Sequence, residues 1–211
     1  LDLQTPEDNE AKRRILRSLM NIRMPKKLDG SVLAIQDEYL RERIRENGIV
    51  TLSEIPVIRD GMSIWQGDIT RLAVDAIVNA ANSQMLGCFV PMHTCIDNCI
   101  HTYAGVQLRN FCAEMMEAQG YEEPTGRAEI TPAYNLPCRY ILHTVGPIAN
   151  GGVTEEQEAQ LELLPVVDGG RSLVVEEHGE AVALQCRLQR AAVGGHALHL
   201  LPALVSRAVG V

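Results

Sequence analysis

From Pro6 to Asn47 the apolar residues recur at helical spacing. Ile15, Leu16, Leu19 and Met20 fall on one face of a first helix, and a second run extends from Leu33 to Ile44. Pro25 and the Asp29-Gly30 pair break the chain between them, and Gly48 ends the second. The pattern predicts a helical N-terminal extension over residues 1–60, packed on the main domain. The period then changes. Met62 to Gln66 alternates around Trp65 as a short strand does, and Ala76 to Ala81 forms an apolar run closed by Asn82, as a strand buried on both faces would. A helix is expected over about 96–117, with Ile100, Tyr103, Ala104, Leu108, Phe111, Cys112 and Met115 on one stripe and Gly120 as its stop. Residues 127–131 and 140–145 read as two more strands, joined through the turn residues Asn135-Leu136-Pro137. Cys112 belongs to the packed stripe, and His143, inside a strand, reads as a satisfied core histidine. The mixture of periods makes residues 61–211 an α/β domain.

The chemistry is concentrated between Gly87 and His101, where fifteen residues hold three cysteines, two histidines and an aspartate. Cys88, His93 and Cys95 lie in a segment kept irregular by Gly87 and Pro91, so their side chains can converge as metal ligands must. Two thiolates and an imidazole suit zinc. The spacing is not that of a zinc finger, and no second cluster lies nearby to complete a four-ligand cage, which favours a site with an open position. Free cysteine is also a common core residue, and spacing alone leaves both readings standing. Cys99, four residues after Cys95, is an alternative fourth sulfur. Asp97 and His101 share a helix face; Asp97 suits a proton acceptor beside a metal, or a carboxylate favoured by the helix N-terminus. His101 reads as a packed helix residue. Asn79 and Asn82 stand at the carboxyl end of a buried strand, where open α/β sheets bind ligands.

Composition narrows the classes. With 46% hydrophobic and 22% charged residues over 211 positions, the chain has an ordinary globular composition. No apolar run approaches membrane-spanning length and the N-terminus lacks the apolar core of a secretion signal, so no membrane role and a cytoplasmic location are expected. Six cysteines, mostly clustered with histidine, fit a reducing compartment. A net charge of -8 argues against nonspecific nucleic-acid binding, so an anionic ligand would be held by aimed backbone N–H groups. Leu1 in place of Met reads as a fragment edge.

Several motifs carry a resemblance. Gly-Asp-Ile-Thr at 67–70, Val-Asp-Ala-Ile-Val-Asn-Ala-Ala-Asn at 74–82, Ile-His-Thr-Tyr-Ala-Gly at 100–105, Tyr-Asn-Leu-Pro at 134–137 and His-Thr-Val-Gly-Pro at 143–147 resemble a macrodomain. The Cys- and His-bearing loop after Asn82, together with the helical extension, resembles the zinc-containing branch of that family, whose members remove ADP-ribose from protein and often accompany a sirtuin-type ADP-ribosyltransferase. The resemblance implies a three-layer α/β/α fold with a mixed sheet. It also implies zinc on Cys88, His93 and Cys95, and Asp68 and Ile69 at the adenine. Asn82 would hold the distal ribose, with Asp97 beside it. The implied substrate is an ADP-ribosylated protein, and the implied ligand ADP-ribose. The rival reading is a module that binds ADP-ribose without cleaving it.

From about Leu161 the family pattern fades. A diphosphate loop of the Ser-Thr-Gly-x-Phe-Gly type is replaced by Gln185 to Gly195, in which Gly194-Gly195 is a weak substitute. Residues 161–211 are thus aberrant, either rebuilt by the lineage or produced by a frame error in the coding sequence. The degrading periodicity favours the frame error and, with it, an inactive product. A poorly formed C-terminal third is expected.

Overall fold

The computed structural model describes residues 6–59, 62–146, 154–155, 169–177 and 180–188. The extension folds as two helices, α1 (Asn9–Ile22) and α2 (Gly30–Asn47). Each starts at an aspartate whose carboxylate accepts a backbone N–H of the first turn: Asp8 from Ala11 at 2.7 Å and Asp29 from Ser31 at 2.8 Å. Gly48, at φ +82°, ends α2 and returns its N–H to the Arg45 carbonyl.

Strands β1 (Val50–Thr51), β2 (Val57–Arg59), β3 (Met62–Trp65), β4 (Leu72–Ala73) and β5 (Ala76–Ala81) precede helices α3 (Ile96–Ala104) and α4 (Val106–Gln119). Strands β6 (Ala128–Pro132), β7 (Tyr140–Val145), β8 (Gly169–Glu177) and β9 (Glu180–Leu188) follow. β1 and β4 form a small parallel pair. The main sheet runs β2-β3-β9-β8-β5-β7-β6, with β5 parallel to both β7 and β8 and the other neighbours antiparallel. The mixed sheet matches expectation. α3 lies against β5, α4 against β6, and α1 and α2 against α3. Ile77, Leu72, Ile100, Leu108 and Ile141 are completely buried between these elements. Burial of each such side chain is worth about 1.5–3 kcal/mol. Among the described residues no helix is long and apolar enough to cross a membrane.

Two expectations are corrected. The single helix over 96–117 is two helices, because Gly105 at φ +100° interrupts it. The apolar stripe continues across the break, so periodicity could not reveal it. Residues 169–177 and 180–188, expected to be poorly formed, pair as an antiparallel hairpin inserted between β3 and β5. Gly194-Gly195 lies outside the described residues.

Candidate active site

β5 delivers Asn82 to the start of a loop that ends where Cys95 caps α3. Fixed points hold this loop in shape. Met85, at φ +59° and fully buried, plugs it into the core. Gly87, at φ +78°, packs so closely on His101 that a Cβ there would stand 2.6 Å from the ring. Asn98, buried on α3, donates from Nδ2 to the carbonyls of Cys88 at 3.2 Å and Val90 at 3.0 Å.

The result is convergence of the three predicted ligands. Cys88 Sγ is 3.7 Å from His93 Nδ1, and the ligand atoms of Cys88, His93 and Cys95 all lie within 4.8 Å of one another. Tetrahedral zinc, with its usual bond lengths, sets such atoms about 3.5 to 3.8 Å apart. The donor set therefore fits zinc. Burial pushes the Cys95 thiol up to about 11, and the neighbouring Cys88 adds to the rise. A bound dication would reverse that cost by favouring the thiolates. Cys99 does not join the group: its Sγ lies 3.8 Å from the Thr94 carbonyl and 3.7 Å from Arg17 Nη2.

Asp97 occupies the first turn of α3, buried at 6% exposure. Its Oδ1 accepts from Asn79 Nδ2 at 2.8 Å, and its Oδ2 accepts from Asn82 Nδ2 at 3.4 Å. Burial pushes its carboxyl up to about 6, against the hydrogen bond from Asn79, the Arg109 charge and the hydrogen bond from Asn82. His101 Nε2 stands 3.6 Å from Asp97 Oδ1, but burial, His143 and Arg109 hold its pKa well below the ordinary value, so it is a neutral neighbour. Asn82 is exposed and also donates to the Gly87 carbonyl at 3.2 Å, tying the Cys- and His-bearing loop to the strand end.

His143 is the satisfied core histidine that the sequence implied, with Nδ1 at 3.0 Å from Asn79 Nδ2 and Nε2 at 2.9 Å from Thr131 Oγ1. Since the Asn79 amide nitrogen can only donate, Nδ1 accepts and Nε2 carries the proton. His101, Cys112 and His143 form a second converging group that sequence reading missed, because its members come from three elements with no shared spacing. With both His143 nitrogens engaged, this group reads as packed core.

Asp68, exposed, caps the short turn Ile69–Arg71 by accepting from Thr70 N at 2.9 Å and Thr70 Oγ1 at 2.6 Å. Ile69, the next residue, is 1% exposed and packs into the core. Sequence reading also missed Asn21, Arg17 and Arg109, whose side chains reach the loop from positions that looked like ordinary helix. The only signal was polar residues inside amphipathic patterns.

Residues 78–164 match the family model described as Macro domain. A Treponema medium protein-ADP-ribose hydrolase is 57% identical over 157 residues, covering 72% of this chain and 60% of the relative. A Staphylococcus aureus protein of the same name is 49% identical over 134 residues, covering 63% and 50%. The chain thus spans little more than half the length of these curated relatives. A Fusarium oxysporum protein, named a probable bifunctional ADP-ribose hydrolase/ADP-ribosyltransferase, is 38% identical over 186 residues, covering 76% of this chain and 31% of the relative. The solved Oceanobacillus iheyensis macrodomain with ADP is 43% identical, covering 46% of this chain and 49% of its own, with a TM-score of 0.40. With its mixed sheet, its strand-end asparagines and this family match, the chain has the α/β fold of a macrodomain.

Proposed function

We propose that the chain forms the catalytic part of a zinc-dependent hydrolase that removes ADP-ribose from modified protein side chains. The observation that carries this reading is the meeting of Asp97, Asn82 and the Cys88–His93–Cys95 group at one strand end, with the Asp97 carboxyl at about 6. The names of the similar proteins support the substrate class, and that of the Fusarium relative supports pairing with an ADP-ribosyltransferase.

Cys88, His93 and Cys95 would hold the zinc, which when bound supplies a Lewis acid able to polarise an oxygen. Asn82, exposed and adjacent, is the group to hold the distal ribose. Asn79 fixes Asp97 Oδ1, which leaves Oδ2, bonded weakly to Asn82, as the oxygen that takes a proton. A water oxygen then bonds to the anomeric carbon, its proton passes to Asp97 Oδ2, and the protein side chain leaves with the bonding pair. Even pushed up by burial, the Asp97 carboxyl is ionised at neutral pH, as a proton acceptor must be. Asp68 would read the adenine amino group through the carboxylate oxygen that its Thr70 bonds do not occupy.

The test is single-turnover release of ADP-ribose from a modified protein, with and without zinc. Release that requires zinc supports the reading. A chain that holds zinc and binds ADP-ribose but releases nothing is a binding module instead.

A further inference from the structure

We infer that helix α1 is a working part of the metal site: Asn21 and Arg17, fastened by Arg109, are positioning residues that hold the loop over 86–93 in the shape that brings Cys88 and His93 together. The inference rests on the zinc reading above. It starts from an asparagine that is 1% exposed on a helix belonging to an extension outside the α/β sheet. A helix that merely covered apolar surface would place a hydrophobic residue there. Asn21 instead accepts the Met92 N–H at Oδ1, 3.0 Å away, and donates from Nδ2 to Thr102 Oγ1 at 2.8 Å.

Met92 needs such a hold. It sits at φ +59°, a left-handed conformation that costs a residue with a Cβ about 1 to 2 kcal/mol, and it directly precedes the ligand His93. One turn earlier on the same face of α1, Arg17 Nη2 donates to the His93 carbonyl at 2.8 Å and to Asn98 Oδ1 at 3.1 Å. The ligand residue is thus gripped on its own carbonyl and on the preceding amide.

Arg109 of α4 binds helix and loop to one another. Its Nη1 donates to the carbonyls of Met20, Asn21 and Arg23 at 3.1, 2.9 and 2.7 Å, the unsatisfied C-terminal end of α1. Its Nε donates to the Leu86 carbonyl at 2.7 Å, and its guanidinium lies 4.3 Å from the centre of the Phe89 ring. Both ends of the loop are therefore referenced to the C-terminal half of α1. Groups that orient metal ligands typically change metal affinity by about tenfold to a hundredfold when removed.

The experiment loads the chain with zinc and follows its transfer to a chromogenic chelator at fixed pH, alongside thermal unfolding of the metal-free form. Asn21→Leu, close in size but without polar atoms, is expected to release zinc about tenfold faster or more. Asn21→Asp keeps the acceptor for Met92 but loses the donor to Thr102 and buries a carboxylate, so its release is expected to fall between the parent and Asn21→Leu. Arg17 is only half buried, so Arg17→Ala is expected to leave the metal-free melting temperature unchanged while speeding release severalfold. Parent-like release from Arg17→Ala and Asn21→Leu would overturn the inference, as would equally fast release from Asn21→Asp and Asn21→Leu, which would reduce Asn21 to a folding role. If Asn21→Leu does not fold, Arg17→Ala decides. A parent chain that takes up no zinc would overturn the zinc reading and this inference with it, an outcome distinct from variants that fail to differ.

Discussion

Asn79 Nδ2 donates to Asp97 Oδ1 at 2.8 Å and also reaches His143 Nδ1 at 3.0 Å, so one buried amide couples the Asp97 carboxylate of α3 to the core of the sheet. Both amide hydrogens are spent. The carboxylate is consequently asymmetric, with Oδ1 held firmly and Oδ2 left with a single long bond from Asn82.

That asymmetry predicts the behaviour of Asp97→Asn. The substitution keeps the shape and an acceptor toward Asn79, but it cannot take a proton and presents an NH2 group to Asn82 at the second position. ADP-ribose release is expected to fall by about a hundredfold or more while zinc content and most ligand affinity persist. Unchanged single-turnover release would make Asp97 a helix-start carboxylate and nothing more.

Metal content provides a second check. The parent is expected to bind about one zinc, and Cys88→Ser and Cys95→Ser are each expected to lose most of it, since a hydroxyl replaces a thiolate ligand. Cys99→Ser is expected to keep it, because its Sγ faces Arg17 and the Thr94 carbonyl. Elemental analysis of the purified proteins distinguishes these outcomes.

Asp68→Ala carries two separable effects. Loss of the cap on Ile69–Arg71 costs about 0.5–2 kcal/mol of stability, and loss of a carboxylate for the adenine weakens ADP-ribose binding by about 1 to 3 kcal/mol. Denaturant unfolding reads the first and calorimetry the second. Equal affinity in parent and variant removes Asp68 from the binding site.

His143 predicts a pH effect on stability. Burial holds its pKa at about 4 against an ordinary 6.5. Between those values the unfolded chain binds a proton that the folded chain refuses, so stability falls as pH drops through the window, by roughly 3 kcal/mol for this group. His101 acts in the same direction. Asp97, raised to about 6, binds its proton more readily when folded and offsets part of the loss. Urea titrations at pH 7 and pH 4.5 are expected to show a smaller acid loss in His143→Gln than in the parent; an equal loss would show that His143 does not titrate this way.

Much of this organisation was legible in the sequence, and the reasons differ by element. The two N-terminal helices and strands β3, β5, β6 and β7 followed from period and punctuation, although the apolar face of α1 that suggested packing stays exposed at Ile15, Leu16 and Leu19 while the helix buries Asn21. The convergence of Cys88, His93 and Cys95 was legible because they are close together in the chain. Asn21, Arg17 and Arg109 were not, because their roles depend on packing between α1, α4 and a loop some 70 residues away, and a polar residue within an amphipathic helix carries no mark of what it will face. The break at Gly105 was hidden because the apolar stripe resumes in phase beyond it.

That break makes a corner. Gln36 Oε1 accepts the Val106 N–H at 3.1 Å and Asn135 Nδ2 donates to the Ala104 carbonyl at 3.0 Å, so side chains from outside cap both helix ends at the notch. A Cβ on Gly105 would come within 2.7 Å of Gln107 Oε1 and 2.8 Å of Gln36 Nε2, besides being strained at φ +100°. From Ala104 back to Asp97 is about 11 Å along α3, so a tilt of about 5° at the corner carries the carboxylate about 1 Å. Displacements of that size can cost a reaction a hundredfold. Gly105 is therefore the pivot of a lever whose far end is the Asp97 carboxylate, and a mutational scan is expected to find it as sensitive as Asp97 although it lies outside the Cys88–His93–Cys95 group.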